Sequence, residues 1–249
     1  MESQTNTTPK RKKDEITPTQ RMLNIWAIVL IIWALYRHHF KEALPIWVDE
    51  FIAKPAIFLI PLYYYILKFE LDPLFKAQEK VKNAGSYIKA FFHSLGLTLK
   101  HWRFDLGIAL FVGSIFMGIG MSANHIKYGS FFNPNSKFLA EYTPYMLIAV
   151  GLASALWEEI LARGFVLNRL LQQEKHPIHA VLLNSFLYFF IHIPILFTSA
   201  QITGYLILQV LAMDVMFSLM VSTFFLHRRS TLLAILIHAM YNLSLYFFL

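Results

Sequence analysis

Residues 106–123 read LGIALFVGSIFMGIGMSA and contain no charged side chain. A helix needs about 20 such residues to cross the hydrocarbon core of a bilayer, and a soluble core does not require runs of this length. Comparable apolar runs recur along the chain, and the spans that we predict from them are 22–36, 55–69, 104–124, 143–168, 177–195, 203–226 and 231–249. The sequence therefore predicts an all-α fold, a polytopic membrane helical bundle with seven or eight transmembrane helices.

The composition agrees with a membrane protein and excludes several kinds of site. Of the 249 residues, 57% are hydrophobic, whereas soluble proteins contain about 45–50% apolar residues. The chain has no cysteine, which rules out disulfides, thiolate metal sites and a cysteine nucleophile. Its net charge of +7 comes from basic residues that flank the apolar runs, so we expect membrane lipids as a partner and no nucleic acid.

Three parts of the chain differ in character. Residues 1–21 are polar and basic, and we expect a disordered cytoplasmic tail. Residues 22–124 contain the N-terminal transmembrane helices, interrupted by the segment 73–102, in which lysines precede apolar residues at helical spacing. We interpret this segment as an interfacial amphipathic helix region broken near Gly85, with a re-entrant or eighth span as the alternative. Residues 143–249 form the third part, a helical core that carries the polar residues described below.

The distribution of Lys and Arg residues predicts the orientation in the membrane. The segments on the side of the N-terminus contain 16 of them, and those on the other side contain 5. Positive residues accumulate on the cytoplasmic side of membrane proteins. We therefore expect an integral protein of the cell membrane with a cytoplasmic N-terminus.

The fourth span contains three ionisable residues, which are costly inside a bilayer. Glu159 and Arg163 are four residues apart with the acid first, the favoured order for an ion pair on one helix face. Glu158 is turned about 100° away, so we expect it to face a different environment. A carboxylate in a low-dielectric cavity binds a proton more readily, as a general base near neutral pH requires. The alternative is an ordinary surface salt bridge at a helix end.

Polar residues also lie in the later spans. His192 follows a run of aromatic residues in the fifth span, and Asp214, in the sixth, is expected to have a packing or supporting role. His238 and Asn242, in the last span, share one helix face, and their N–H groups suit them to stabilising an oxyanion. The alternative for His192 is a hydrogen-bonded core histidine, and the alternative for His238 and Asn242 is an interhelical hydrogen-bond pair. One shared site explains all of these residues together.

Three motifs in this part of the chain resemble those of the CPBP (Abi) family of membrane proteases. The family includes the type II CAAX prenyl endopeptidases and the bacteriocin-processing and self-immunity proteins. The motifs are Glu158-Glu159-x-x-x-Arg163-Gly164, Tyr188-x-x-x-His192 and His238-x-x-x-Asn242. The resemblance covers residues 143–249, and Tyr188 is a departure because the second motif usually opens with Phe.

This resemblance implies an intramembrane endopeptidase that hydrolyses a peptide bond near the membrane. Glu158 would act as the general base on a water molecule that His192 orients, and His238 and Asn242 would form the oxyanion pocket. Glu159 and Arg163, with Tyr188, would hold the helix and balance its charge. The partner would be a peptide or a membrane-associated protein, cleaved in a cavity that opens to the cytoplasmic side.

We predict no cofactor, because the His-Glu-x-x-His spacing of zinc proteases is absent. The alternative is a zinc ion held by Glu158, His192 and His238 with one open position. Two other functions remain open: a catalytically inactive immunity or binding protein of the same fold, and a small transporter. A transporter is expected to show repeated halves, whereas here the polar residues are confined to one half.

The shared site depends on the depth of the two histidines in the membrane. Counted from residue 177, His192 lies about 22 Å along its helix, whereas His238 lies only about 10 Å from residue 231. The two meet only if the fifth helix begins outside the hydrocarbon, or is tilted or broken. A position of His192 more than about 10 Å from both Glu158 and His238 would refute the shared site.

Overall fold

The computed structural model describes residues 16–40, 43–71, 84–133, 136–198 and 204–248, and these form helices joined by loops, without strands. The helices are α1 (Pro18–His39), α2 (Ile46–Leu71), α3 (Ala84–Ser94), α4 (Trp102–Tyr128), α5 (Lys137–Glu141), α6 (Pro144–Gln173), α7 (Pro177–Thr198), α8 (Tyr205–Arg228) and α9 (Thr231–Phe248). Within the described residues, seven helices are long and apolar enough to cross a membrane: α1, α2, α4 and α6 to α9. The all-α polytopic fold is therefore confirmed.

The first two transmembrane helices are longer than predicted. α1 begins at Pro18 because Thr17 caps it and accepts a hydrogen bond from the Gln20 N–H, so residues 18–21 of the predicted tail are helical. The tail up to residue 15 lies outside the described residues. α2 begins at Ile46, nine residues before the predicted start at 55, and its charged first turns are buried against the rest of the protein.

The predicted interfacial region is described from Ala84 onwards, and residues 73–83 lie outside the described part. α3 has 11 residues, too few to cross a bilayer, so the described part of this region contains no eighth span. After α3 the chain turns at Gly96, whose φ is +66°. Thr231 then donates a hydrogen bond of 2.6 Å to the Leu95 carbonyl, which ties this turn to the start of α9.

The core is organised around α9, which packs against α4, α6 and α8. Glycines on α4 allow close contact: a Cβ on Gly113 would lie 2.6 Å from Met240, and one on Gly120 would lie 2.4 Å from Phe248. Small residues let membrane helices approach each other in this way. The helix that carries His238 and Asn242 is thereby held in the centre of the bundle.

Two of the transmembrane helices contain π-helical turns beside buried charged residues. In α2 the first of two π segments is Asp49–Ala53, and the Lys54 N–H bonds to the carbonyl of Asp49, five residues back. In α6 the π segment is Ile160–Leu167. π turns are often found at functional sites. Here they directly precede Lys54 and directly follow Glu159.

Candidate active site

Glu158 lies near the middle of α6, buried, and its two carboxylate oxygens have different partners. Oε1 accepts hydrogen bonds of 3.0 Å from the Lys54 ammonium and 3.0 Å from the Ser154 hydroxyl. Oε2 lies 3.4 Å from the hydroxyl of Tyr188. One oxygen is thus anchored by a cation, and the other faces the histidines.

His192 and His238 both point their Nε2 atoms at this second oxygen. The distances from Glu158 Oε2 are 3.7 Å to His192 and 3.8 Å to His238. Both are far inside the 10 Å limit at which the shared site would have been refuted. The structure therefore brings the acid and both predicted histidines together from three helices.

The predicted depth mismatch disappears because α9 does not begin at the membrane surface. Thr231 is fully buried, and it lies beside Gly164, where an added Cβ would be 3.5 Å from the Thr231 Cγ2. Gly164 precedes the end of α6 by nine residues, or about 13 Å along the helix. With this offset added, His238 reaches the depth of His192, so no break in α7 is needed.

Each histidine ring is oriented by its other nitrogen. His192 Nδ1 lies 3.0 Å from the backbone carbonyl of Tyr188, and a carbonyl can only accept, so Nδ1 carries the proton. His238 Nδ1 lies 2.8 Å from Oε1 of Glu159. These contacts leave both Nε2 atoms directed towards Oε2 of Glu158.

Arg163 is fully buried and joins Glu159 to two other helices. Its Nη1 donates to Glu159 Oε1 at 2.9 Å, and its Nη2 donates to the carbonyl and hydroxyl of Ser218 at 2.9 Å each. The guanidinium also lies 4.6 Å from the ring centre of Tyr188. The predicted Glu159–Arg163 pair is therefore present, and it is buried, not at a surface.

Asn242 and Asp214 are placed at the edge of this arrangement. Asn242 Nδ2 donates to the carbonyl of Gly151 on α6 at 3.2 Å, the interhelical bond considered as an alternative. A side-chain amide has two N–H groups, so one remains for an oxyanion. Asp214 is partly exposed and close enough to His192 and His238 to interact with both electrostatically.

Sequence analysis missed the contribution of α2. Lys54 was counted as a loop residue, but it is buried, and it bonds Glu50 at 2.8 Å and Ser154 at 2.8 Å as well as Glu158. Glu50 and Lys54 are four residues apart with the acid first, directly before a predicted span that was too short for a bilayer. Those two signals together could have placed the pair inside the membrane.

Two features of the described residues favour a metal-free site over the zinc alternative. Among the residues that the structure describes, no group of three or more His, Asp or Glu side chains is spaced to hold a metal ion. The Lys54 ammonium also occupies one oxygen of Glu158, so a cation already balances the carboxylate that would have to bind zinc. A metal-free site stays a prediction, for which a chelation experiment is given below.

Comparison with known proteins supports the resemblance stated from the motifs. Residues 140–244 match the family model for "Type II CAAX prenyl endopeptidase Rce1-like" proteins. No curated protein and no solved structure matches the chain. The matched residues include all three motifs, whereas Glu50 and Lys54 lie outside the matched range. Over residues 140–244 the chain is thus similar to the Rce1-like family of type II CAAX prenyl endopeptidases.

Proposed function

We propose that this protein is an intramembrane endopeptidase in which Glu158 activates the water that cleaves a peptide bond. One observation carries the proposal: a buried carboxylate oxygen lies 3.7 and 3.8 Å from two histidine nitrogens on two other helices. These distances exceed a direct hydrogen bond and leave space for a bridging water. Tight packing alone does not require three polar groups to converge there.

In the proposed reaction, Glu158 Oε2 takes a proton from the water as its oxygen attacks the scissile carbonyl carbon. His192 accepts the other water proton in a hydrogen bond through Nε2 and so orients the attack. The carbonyl oxygen becomes an oxyanion that receives hydrogen bonds from the second Asn242 N–H and from the Nε2–H of His238. His238 must be in its doubly protonated form for this step, because its Nδ1–H is donated to Glu159. When the C–N bond breaks, Glu158 returns its proton to the leaving amine.

Lys54 and Arg163 place positive charge beside Glu158 and Glu159 without a metal. Lys54 bonds Glu158 on Oε1, and this leaves Oε2 as the oxygen available to the water. Arg163 bonds Glu159, which in turn orients His238. The mechanism therefore proceeds with the chain's own residues and without a cofactor.

The proposed substrate class is supported by the similarity to the family and by the apolar helices that predict a membrane location. The family name refers to prenyl endopeptidases, so a prenylated peptide is one candidate substrate, and any peptide or protein segment at the membrane is the broader class. We place the protein in the cell membrane with its N-terminus in the cytoplasm, in accordance with the distribution of Lys and Arg.

The proposal is tested by Glu158→Gln, which keeps the shape of the side chain but cannot accept a proton. Membrane-associated peptides from cells with the wild type and with the variant are compared by mass spectrometry. We expect cleavage products that depend on the wild type and disappear in Glu158→Gln, while the exposed control Glu141→Gln retains them. Equal products from Glu158→Gln and the wild type would refute the role of this base and favour an inactive binding or immunity protein.

A further inference from the structure

A second cavity, of about 330 Å³, is lined by residues of α4, α8 and α9. Volumes of this size are typical of sites for small molecules. Aromatic rings close its inner end: the Tyr241 ring lies 5.4 Å from that of Phe116 and stacks on Phe217 at 4.4 Å. Phe217 in turn lies 4.9 Å from the ring of His238. The rings therefore separate this cavity from the site around Glu158.

The walls of the cavity change from polar to apolar along α4. This helix has 27 residues, so it is about 40 Å long and both of its ends reach the headgroup region of a bilayer. Lys127 and Tyr128, its last two residues, line the outer end of the cavity. Asn124 lines it about 4.5 Å further in, and Phe116 about 16 Å further in. The lining residues from α8 and α9 are mostly apolar: Met213, Tyr241, Ser244, Leu245 and Phe248.

Asn124 is a buried hydrogen-bond donor that the described residues leave unused. It is 5% exposed, and its Nδ2 has no hydrogen-bond partner in the part of the chain that the structure describes. A buried N–H group without a partner is costly, so an acceptor atom of a ligand in the cavity would stabilise it.

Lys127 adds a positive charge beside this donor. It follows Asn124 by three residues, so the two side chains share one face of α4. Its ammonium lies 4.8 Å from the ring centre of Tyr128, a contact that does not neutralise the charge. A cation next to an unused N–H group favours an anionic group that accepts hydrogen bonds, such as a phosphate.

We propose that this cavity binds one anionic phospholipid. The phosphate contacts Lys127 and Asn124 at the depth of the headgroups, and an acyl chain extends between the apolar side chains towards Phe116 and Tyr241. The apolar inner walls favour a lipid over a soluble phosphate compound, and the charge of Lys127 favours an anionic lipid over a zwitterionic one. This binding site does not depend on the proposed peptidase function.

The proposal is tested with the full chain, purified in detergent and freed of lipid. Phosphatidylglycerol and phosphatidylcholine with the same acyl chains are titrated, and the bound lipid is counted by native mass spectrometry. We expect one saturable site that binds phosphatidylglycerol about fivefold more tightly, as one Lys residue near a membrane surface provides. Binding without saturation would overturn the proposal. Equally tight binding of glycerol phosphate, which has no acyl chain, would also overturn it and favour a site for a soluble anion.

Two pairs of variants assign the binding to this cavity. Ala123→Trp fills the cavity and should abolish binding at the saturable site, whereas Ser122→Trp, at the adjacent exposed position outside the cavity, should retain it. Lys127→Gln should remove the preference for phosphatidylglycerol, and Lys100→Gln, an equal change of charge at an exposed position away from the cavity, should keep it. Equal binding by the two Trp variants, or loss of the preference in both Lys variants, would contradict the proposal.

Asn124→Leu separates lipid binding from stability. Because it removes a buried donor without a partner, the lipid-free variant should unfold at a higher temperature than the wild type, while its affinity for phosphatidylglycerol falls. Thermal unfolding and the lipid titration, both in the same detergent, are the measurements. Unchanged affinity for phosphatidylglycerol in Asn124→Leu would show that the amide does not contact the phosphate and would overturn the proposed position of the lipid.

Discussion

At the scale of single residues, the key feature is that Glu158 is paired through only one of its oxygens. The sequence suggested that Arg163 would neutralise Glu159 and that Glu158 would face a different environment. In the structure that environment contains Lys54 and Ser154, which both bond Glu158 Oε1. The anchored oxygen directs the other one, Oε2, at the two histidines.

Replacing Lys54 should therefore impair the reaction more than substrate binding. Lys54→Met leaves a buried carboxylate without its cation, a change that costs about 3–5 kcal/mol in stability. We expect a fall in kcat of at least about 100-fold, the equivalent of about 2.7 kcal/mol, with little change in KM. Cleavage rates and thermal unfolding in detergent are the measurements.

Two further variants separate this positioning role from a purely structural one. Lys54→Arg keeps the charge and should restore part of kcat, and Glu50→Gln keeps the Lys54–Glu158 bond and should remain active. Equal losses of kcat in Lys54→Met, Lys54→Arg and Glu50→Gln would contradict the assignment, because they would report only disturbed packing.

The proposed metal-free mechanism makes a prediction about chelators. Because Lys54 supplies the charge beside Glu158, we expect EDTA and 1,10-phenanthroline to leave the Glu158-dependent cleavage unchanged. The assay uses the purified protein in detergent, with and without dialysis against the chelator. Loss of activity that added zinc restores would disprove the metal-free mechanism and favour zinc bound by Glu158, His192 and His238.

The predictability of the site depends on how far apart in the chain its partners are. The Glu159–Arg163 pair could be predicted because four residues of helix fix its geometry. The meeting of Glu158, His192 and His238 could be inferred from the cost of burying each of them. Lys54 could not be assigned to Glu158, because 104 residues separate them and helix packing alone brings them together.

At the scale of elements, helix boundaries were the least predictable feature. Hydropathy located each of the seven membrane-spanning helices in the described part of the chain, but it does not report how deep in the membrane a helix begins. The start of α9 is set by the hydrogen bond from Thr231 to Leu95 and by contact with Gly164, which are tertiary interactions. The π turns in α2 and α6 are also invisible to a pattern analysis based on 3.6 residues per turn.

The contact between α6 and the turn after α3 can be tested with two glycines. A Cβ on Gly164 would lie 2.9 Å from the Leu95 carbonyl oxygen, whereas one on Gly107 in α4 would have nothing within 4 Å. Gly164→Ala should therefore lower the thermal unfolding temperature. Gly107→Ala should leave it unchanged or raise it, since Ala is favoured over Gly in a helix by about 1 kcal/mol.

Thermal unfolding of both variants in the same detergent is the measurement. An unchanged unfolding temperature in Gly164→Ala would show that the turn at Leu95 does not contact α6 as closely as it does in the structure. In that case the depth assigned to α9 would lose its support.

At the scale of the whole molecule, the residues that match the family model do not include all of the residues that surround Glu158 and His192. Residues 140–244 carry the motifs, but Lys54 comes from α2, and Trp33 of α1 donates a hydrogen bond of 3.1 Å to the Ile191 carbonyl beside His192. Sequence analysis had assigned only topology to residues 1–103. The N-terminal helices instead complete the surroundings of Glu158.

A chain that begins at Trp102 should accordingly be inactive although it retains every motif. It lacks Lys54 and the helix that packs beside His192, so we expect insertion into the membrane without Glu158-dependent cleavage. Co-expression of residues 1–101 as a separate chain should restore part of the activity. Full activity of the truncated chain by itself would show that α1 and α2 are dispensable for catalysis.

The close packing around Arg163 has a consequence for the energetics of the host membrane. A hydrolase that admits water to the middle of a bilayer risks short-circuiting the ion gradients across it. Here Leu161, Arg163 and Phe165, which follow Glu158 along α6, are fully buried, and such packing leaves no room for a water-filled path on that side of the site. A peptidase of the proposed kind would therefore use water as a reactant while it remains an insulator, a property that a transporter built from the same residues would not share.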